Sequence, residues 1–131
     1  EFKQTPTPQA LNRLLSRCSS ETHPARELSK ALRNSFCNIC IIELKTGTLF
    51  GFVRITTDKG LNANLWDLSA EPGEYQTQFF SILLNRALAI IRRDLPGCSV
   101  SLAAPLVASE ALQKQGFLID PNGIRAMAYR I

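Results

Sequence analysis

The cysteines and the single histidine are the residues of this 131-residue chain whose types and spacing first suggest chemistry. Cys37 and Cys40 have the CxxC spacing of redox and zinc sites, but zinc needs two further ligands and His23 is the only histidine. The surrounding string CNICIIEL predicts a strand, which points residues three apart to opposite faces and offers no helix N-terminus to lower a thiol pKa. The pattern favours small buried side chains in a reduced compartment such as the cytoplasm, and no metal.

Composition is that of an ordinary globular domain. Apolar residues make up 45% and charged residues 20% of the chain, and the length suits one core. We therefore predict a single domain over residues 1–131, with 1–7 as a tag remnant or flexible tail. The net charge of +4 is spread along the chain and the aromatic residues stand inside apolar runs, which argues against a nucleic-acid surface. No apolar stretch reaches the length of a membrane span.

Hydrophobic periodicity predicts the elements that must position any site. In order they are two short helices within 8–34, antiparallel strands at 37–44, 49–57 and 61–70, a long helix between Gly73 and Pro96, a strand at 98–104, a short helix at 108–115 closed by Gly116, and a final strand at 124–131. The strand at 98–104 has no charged residue and is expected to be covered on both faces. The fold class is α/β: a central mixed β-sheet with an N-terminal antiparallel meander, flanked by helices.

Several strings within this order resemble one superfamily. They are LFGFVRITTD at 49–58, LNANLWDL at 61–68, DPNGIRAM at 120–127 and the Gly116-Phe117 pair. Together they resemble the GCN5-related N-acetyltransferases (GNATs), in particular the plastid and cyanobacterial branch that includes enzymes like serotonin N-acetyltransferase. The resemblance implies a GNAT-like fold, and it adds the plastid stroma to the cytoplasm as an expected location.

The resemblance also implies where acetyl-CoA would bind. In that family a strand equivalent to 65–70 splays from its neighbour, and its backbone binds the pantetheine arm and the acetyl carbonyl, which points to Leu68, Ser69 and Ala70. A following loop of pattern Q/R-x-x-G-x-G/A wraps the pyrophosphate, because amides at a helix N-terminus attract an anion. The matching positions here are Gln76, Thr77, Gln78, Phe79, Phe80 and Ser81.

This chain departs from the family pattern at positions important for chemistry. Phe79 replaces the central glycine, so its ring must either fill the volume of the phosphate or turn into the core. Gln76 keeps the pattern, and the hydroxyl of Ser81 could still donate to phosphate. Leu112 occupies the place where the family commonly has a tyrosine that protonates the CoA thiolate, and leucine has no proton to give.

These departures predict a protein that has lost efficient acetyl-CoA binding and acetyl transfer and serves as a binding or regulatory module, with a protein partner and no required cofactor. The alternative is an active acetyl-CoA-dependent N-acetyltransferase acting on a protein N-terminus, a lysine or a small amine. Asp67 would then be the candidate base, although a carboxylate at a strand end is more often a turn or ion-pair partner. His23, between the first two helices, is expected to have a surface or capping role. A third possibility is a homodimer formed through the last strand.

Overall fold

A computed structural model describes residues 5–129, which form a four-stranded sheet with helices on both faces. The elements are α1 Pro8–Arg17, α2 Ala25–Asn34, β1 Cys37–Ile42, β2 Leu49–Thr57, β3 Asn62–Ala70, α3 Gln76–Asp94, β4 Ser99–Leu102 and α4 Ser109–Lys114, with single 3₁₀ turns at Leu106–Ala108 and Pro121–Gly123. The strand order is β1-β2-β3-β4; the first three strands are antiparallel and β4 is parallel to β3. The predicted mixed sheet with an N-terminal meander is confirmed.

Helices α1 and α2 cover one face of the sheet. Thr7 caps α1, since its Oγ1 accepts the N–H of Ala10 at 3.1 Å. The buried leucines of both helices pack against β1 and β2; this core consists of Leu11, Leu14, Leu15, Leu28, Leu32, Cys40, Leu49 and Phe52. Of the predicted tail at 1–7, residues 1–4 lie outside the described residues, while Thr5 Oγ1 accepts a hydrogen bond from Asn38 Nδ2 at 3.3 Å.

Helix α3 covers the other face with the broad apolar side that its sequence predicts. Phe80, Leu83, Leu84 and Ala87 are each 0–1% exposed and pack in a core that also contains residues of β1, β2 and β3. The sheet separates two cores, so β1 and β2 have apolar side chains on both of their faces. Cys37 contacts the α3 core and Cys40 belongs to the α1/α2 core, as expected for residues three apart on a strand.

Strand β4 does not match the prediction of a strand covered on both faces. Ser99 and Ser101 are exposed, whereas Val100 and Leu102 pack against the α3 core. The two serine hydroxyls bond to Asn side chains of β3, at 2.9 and 3.4 Å. The core formed by α1 and α2 draws on β1 and β2, so the serine side of β4 stays polar and open.

The predicted final strand at 124–131 is wrong for residues 124–129, which form neither helix nor strand. Residues 130 and 131 lie outside the described residues. Ile124, Met127 and Tyr129 are 67–93% exposed. A β-branched, apolar pattern gives strand propensity only, and a strand is stable when a neighbouring edge supplies its hydrogen bonds. The helix before it is confirmed, and Gly116 closes it with a φ of +98°.

Candidate functional site

The site implied by the sequence lies where β3 parts from β4. Parallel pairing with β4 ends at Leu65, opposite Leu102, so residues 66–70 of β3 have no strand partner on that side among the described residues. A bulge follows at once, because Arg54 faces Trp66 while Phe52 faces Ser69. Residues 66–70 of β3 therefore extend beyond the pairing with β4. We call them the cleft strand, because the family resemblance implies that this strand splays from its neighbour.

The backbone of the cleft strand is partly engaged inside the protein. Leu68, Ser69 and Ala70 are all buried. The carbonyl oxygen of Ala70 accepts hydrogen bonds from Gln76 Nε2 at 3.1 Å and from Cys18 Sγ at 3.3 Å. A carbonyl oxygen has two lone pairs, so these two donors satisfy it. Gln76, the one position that keeps the family pattern, is thus used to fix the end of β3.

Residues 76–81, which the family resemblance assigned to a cofactor-binding loop, are the first six residues of α3. This agrees with the helix that periodicity predicts between Gly73 and Pro96, and the loop that precedes the helix is 71–75. The Phe79 N–H donates to Tyr75 O at 3.0 Å, and Phe80 is 1% exposed in the core. The physical reason is that no residue of 76–81 is a glycine and that burying Phe80 holds this segment in helical register. Thr77 and Gln78 are exposed and Ser81 is half-buried.

An aromatic cluster of Phe50, Tyr75 and Phe79 stands at the start of α3. The Phe79 ring is half-buried, with its centroid 6.1 Å from that of Phe50 and 6.4 Å from that of Tyr75. These spacings lie within the range of favourable aromatic pairs. The Phe79 ring therefore packs between Phe50 of β2 and Tyr75 of the loop that precedes α3.

The side chain of Leu112 lies in the hydrophobic core. It is 4% exposed and packs in the core that contains α3. Its carbonyl accepts the Phe117 N–H at 3.0 Å, which closes α4. Its side chain supplies no proton donor, as the sequence indicated.

Asp67, the candidate base, lies at the centre of an ion-pair cluster. Its Oδ2 accepts a hydrogen bond from Arg54 Nε at 2.8 Å, and its Oδ1 lies 3.3 Å from His23 Nε2. The side chains of Asp67 and Arg54 are 16% and 18% exposed, and that of His23 is 39% exposed. Asp67 also has a φ of +55°, in the left-handed region that costs about 1 kcal/mol or more for a residue with a Cβ. Strained backbone positions of this kind are often found at functional sites.

The backbone of His23 is bonded by Asn12 and its ring faces Asp67, and the sequence predicted neither contact. Its backbone N–H donates to Asn12 Oδ1 at 2.9 Å, and its carbonyl accepts from Asn12 Nδ2 at 2.8 Å. The expected surface or capping role is therefore incomplete: the ring pairs with Asp67 as well. No local sequence pattern predicts these contacts, because they join residues that are 11 and 44 positions apart.

Two further classes of site are not found in residues 5–129. In that range no three His, Cys, Asp or Glu side chains are placed to hold a metal ion. No helix in the same range is long and apolar enough to cross a membrane.

The chain has relatives among curated N-acetyltransferases. It is 30% identical over 106 residues to an uncharacterized N-acetyltransferase, ycf52, of Pyropia yezoensis, covering 79% of this chain and 60% of the relative. It is 31% identical over 124 residues to histone acetyltransferase TAP1 of Glycine max, covering 84% and 52%. A third relative is GCN5-related N-acetyltransferase 2, chloroplastic, of Arabidopsis thaliana, 37% identical over 81 residues, or 60% of this chain and 30% of the relative. The chain thus spans at most about three-fifths of the length of these relatives. No protein-family model matches it.

Solved structures agree in fold. A probable acetyltransferase from meticillin-resistant Staphylococcus aureus superposes with a TM-score of 0.87 at 20% identity, covering 98% of this chain and 96% of the other. Glucosamine-6-phosphate N-acetyltransferase from Arabidopsis thaliana superposes with a TM-score of 0.73 at 12% identity, covering 98% of each chain. The fold is therefore that of a GNAT-type domain. The chain belongs to the GNAT superfamily, and its relatives include plastid and cyanobacterial members.

Proposed function

We propose that this GNAT-fold protein has lost efficient acetyl-CoA binding and acetyl transfer and serves as a binding or regulatory module. The observation that carries the proposal is Phe79 at the first turns of α3. Its ring packs beside Phe50 and Tyr75 at the helix end where the family pattern has a glycine and an open anion site. A pyrophosphate approaching these amides would have to displace the ring.

Two other contacts support the same proposal. The Ala70 carbonyl is satisfied by Gln76 and Cys18, so a pantetheine amide would have to break an internal hydrogen bond to use it. Leu112 is buried and gives no proton to a leaving thiolate. Cofactor binding and leaving-group protonation are thus weakened at separate places.

The second candidate is an active acetyl-CoA-dependent N-acetyltransferase that acetylates an amine. It is favoured by the end of β3–β4 pairing at Leu65 and by the strained Asp67 paired with His23. In such an enzyme the amine would attack the thioester directly, and backbone amides of the cleft strand would stabilise the oxyanion. Acetyl-CoA would then be the cofactor.

Calorimetric titration of acetyl-CoA into the full chain separates the two candidates. We expect no saturable heat at micromolar concentrations; binding in the low micromolar range would overturn the proposal. Phe79→Ala and Phe79→Gly are the matched variants, since both remove the ring and only glycine frees the backbone. If the ring is the obstacle, both variants gain affinity; if the backbone is, only glycine does. A gain of tenfold corresponds to about 1.4 kcal/mol.

A protein partner is the expected ligand of a module without cofactor, and we propose the cytoplasm or the plastid stroma as its location. The word chloroplastic in the name of the Arabidopsis relative supports the second location. Co-purification from extracts of the two compartments, with the Phe79→Ala variant as a control for misfolded bait, tests partner and location together. A homodimer through residues 124–131 remains a prediction, and sedimentation of the pure chain tests it.

A further inference from the structure

We propose that a cavity at the end of the sheet away from the cleft strand binds an apolar α-amino acid in its zwitterionic form. In this site Arg33 holds the carboxylate, and the Oδ1 atom of Asn38 accepts a hydrogen bond from the ammonium. The side chain of the amino acid lies against Phe36 and Ile90. The proposal goes beyond the proposed function, because it concerns a second ligand and holds whether or not acetyl-CoA binds.

The cavity lies where α2 and α3 end and where β1 begins. Its volume is about 380 Å³, within the usual range of small-ligand sites. The last turns of both helices and the first residues of β1, Cys37 and Asn38, form its wall. Between Gln76, beside the cleft strand, and Ile90, in this wall, α3 rises by about 20 Å. The cavity is therefore separate from the site that the family resemblance implies.

The side-chain amide of Asn38 has hydrogen bonds at one of its two polar atoms. Its Nδ2 donates to the Leu32 carbonyl at 3.0 Å and to Thr5 Oγ1 at 3.3 Å. Because a carbonyl can only accept, the atom facing Leu32 must be Nδ2. Oδ1 is then a buried acceptor that no donor within residues 5–129 reaches, in a residue that is 7% exposed. An unpaired buried acceptor costs free energy, which a donor bound in the cavity would remove.

The helix ends at the cavity favour a positively charged donor for this acceptor. Both α2 and α3 end at the wall, and the C-terminal end of a helix carries partial negative charge that stabilises a nearby cation. Arg93 of the wall is already engaged, since its guanidinium donates to both oxygens of Asp94 at 2.8 Å. An ammonium group on the ligand supplies three N–H donors and a positive charge, and it therefore suits Oδ1 of Asn38.

Arg33 is the group of the wall that calls for an anion. Its Nη1 donates to Ser29 Oγ at 3.0 Å, and no ion pair within residues 5–129 includes it. A guanidinium has five N–H donors, so Arg33 can bind a carboxylate and keep its bond to Ser29. A ligand with an ammonium alone would be repelled by this charge. The wall therefore favours a ligand that carries both charges.

Phe36 and Ile90 give the cavity an apolar side. The 37% exposure of Phe36 leaves aromatic surface for a ligand, and Ile90 extends the α3 core to the wall. Apolar surface that a ligand buries here adds to its affinity, and an aromatic ring gains further from pairing with Phe36. An α-amino acid bears its ammonium, carboxylate and side chain on one carbon atom. An apolar member of this class thus matches the acceptor, the cation and the apolar side of one small cavity.

Four probes test the three contacts separately. L-Phenylalanine carries all three groups, phenethylamine lacks the carboxylate, 3-phenylpropionate lacks the ammonium, and L-alanine lacks the aromatic ring. Each is titrated calorimetrically into the full chain, and carbon-13 spectra follow the side-chain carbonyl of Asn38. Arg33→Gln tests the carboxylate contact. Arg26→Gln is the matched control, because Arg26 is an exposed arginine of the same helix, about 10 Å from Arg33 along the axis and outside the wall.

We expect L-phenylalanine to bind with a Kd below about 1 mM and each other probe to bind at least about tenfold more weakly. L-Phenylalanine should shift the side-chain carbonyl signal of Asn38, and 3-phenylpropionate should not. Arg33→Gln should weaken the binding of L-phenylalanine about tenfold, while Arg26→Gln leaves it unchanged. No binding of L-phenylalanine, equal affinity for another probe, an unchanged Asn38 signal or equal effects of the two substitutions would overturn the proposal. The comparison of probes on the wild type does not depend on either variant.

Discussion

The backbone strain at Asp67 can be measured by comparing two replacements at this position. Both Asp67→Ala and Asp67→Gly remove the carboxylate and leave the 18%-exposed Arg54 side chain without its ionic partner. We expect this loss to cost about 2–3 kcal/mol, less than for a fully buried pair because water reaches the cluster. The φ of +55° then separates the variants, since alanine pays about 1 kcal/mol there and glycine does not. Asp67→Gly should therefore be the more stable of the two.

Urea unfolding of the two variants measures this difference, with equal m-values as the check that both unfold from a native-like state. Asn64, on the same strand but with negative φ, is the matched position. There glycine should be the less stable replacement by about 0.5–1 kcal/mol, because it loses more backbone entropy. If alanine equals or exceeds glycine in stability at position 67, or if both positions show the same sign, the strain argument is wrong.

Three further predictions follow from other contacts. Backbone N–H groups, that of Asn62 foremost, lower the pKa of Asp58. The carboxylate therefore contributes stability above about pH 4, and this contribution is lost as the pH falls through the lower pKa of the folded state. Asp58→Asn should make the free energy of unfolding less dependent on pH below about pH 4, and an unchanged pH dependence would contradict this. Burial raises the pKa of Cys40 to about 11, so iodoacetamide at pH 8 should label it only after unfolding, and labelling of the native chain would refute its burial. Asn12→Ala should cost about 1–2 kcal/mol and speed hydrogen exchange at the His23 amide, whereas unchanged exchange would show that the two hydrogen bonds do not hold the loop.

Local patterns of the sequence predicted most of the elements and one part of the site. The apolar spacing in α3 and the turn residues between β1, β2 and β3 act over a few positions, and they gave the helix and the meander correctly. The absence of a glycine at Phe79 and of a tyrosine at Leu112 is likewise visible in the sequence. The family pattern, by contrast, placed the segment 76–81 in a loop, whereas the burial of Phe80 keeps it in the helix.

Contacts between distant segments decided the rest. The serine side of β4 is open and residues 124–129 form no strand, since covering and pairing depend on what other segments supply. The assignment of Asp67 and His23 also changed for this reason. Asn12 lies 11 residues from His23, whose backbone it bonds, and Arg54 lies 13 residues from Asp67, whose side chain it pairs with. His23 and Asp67 are themselves separated by 44 positions. The sequence by itself determined the local preference of each segment and the chemical groups that are available. Only tertiary structure decided which charges meet, because Coulomb and hydrogen-bond energies depend on distances that the chain reaches after folding.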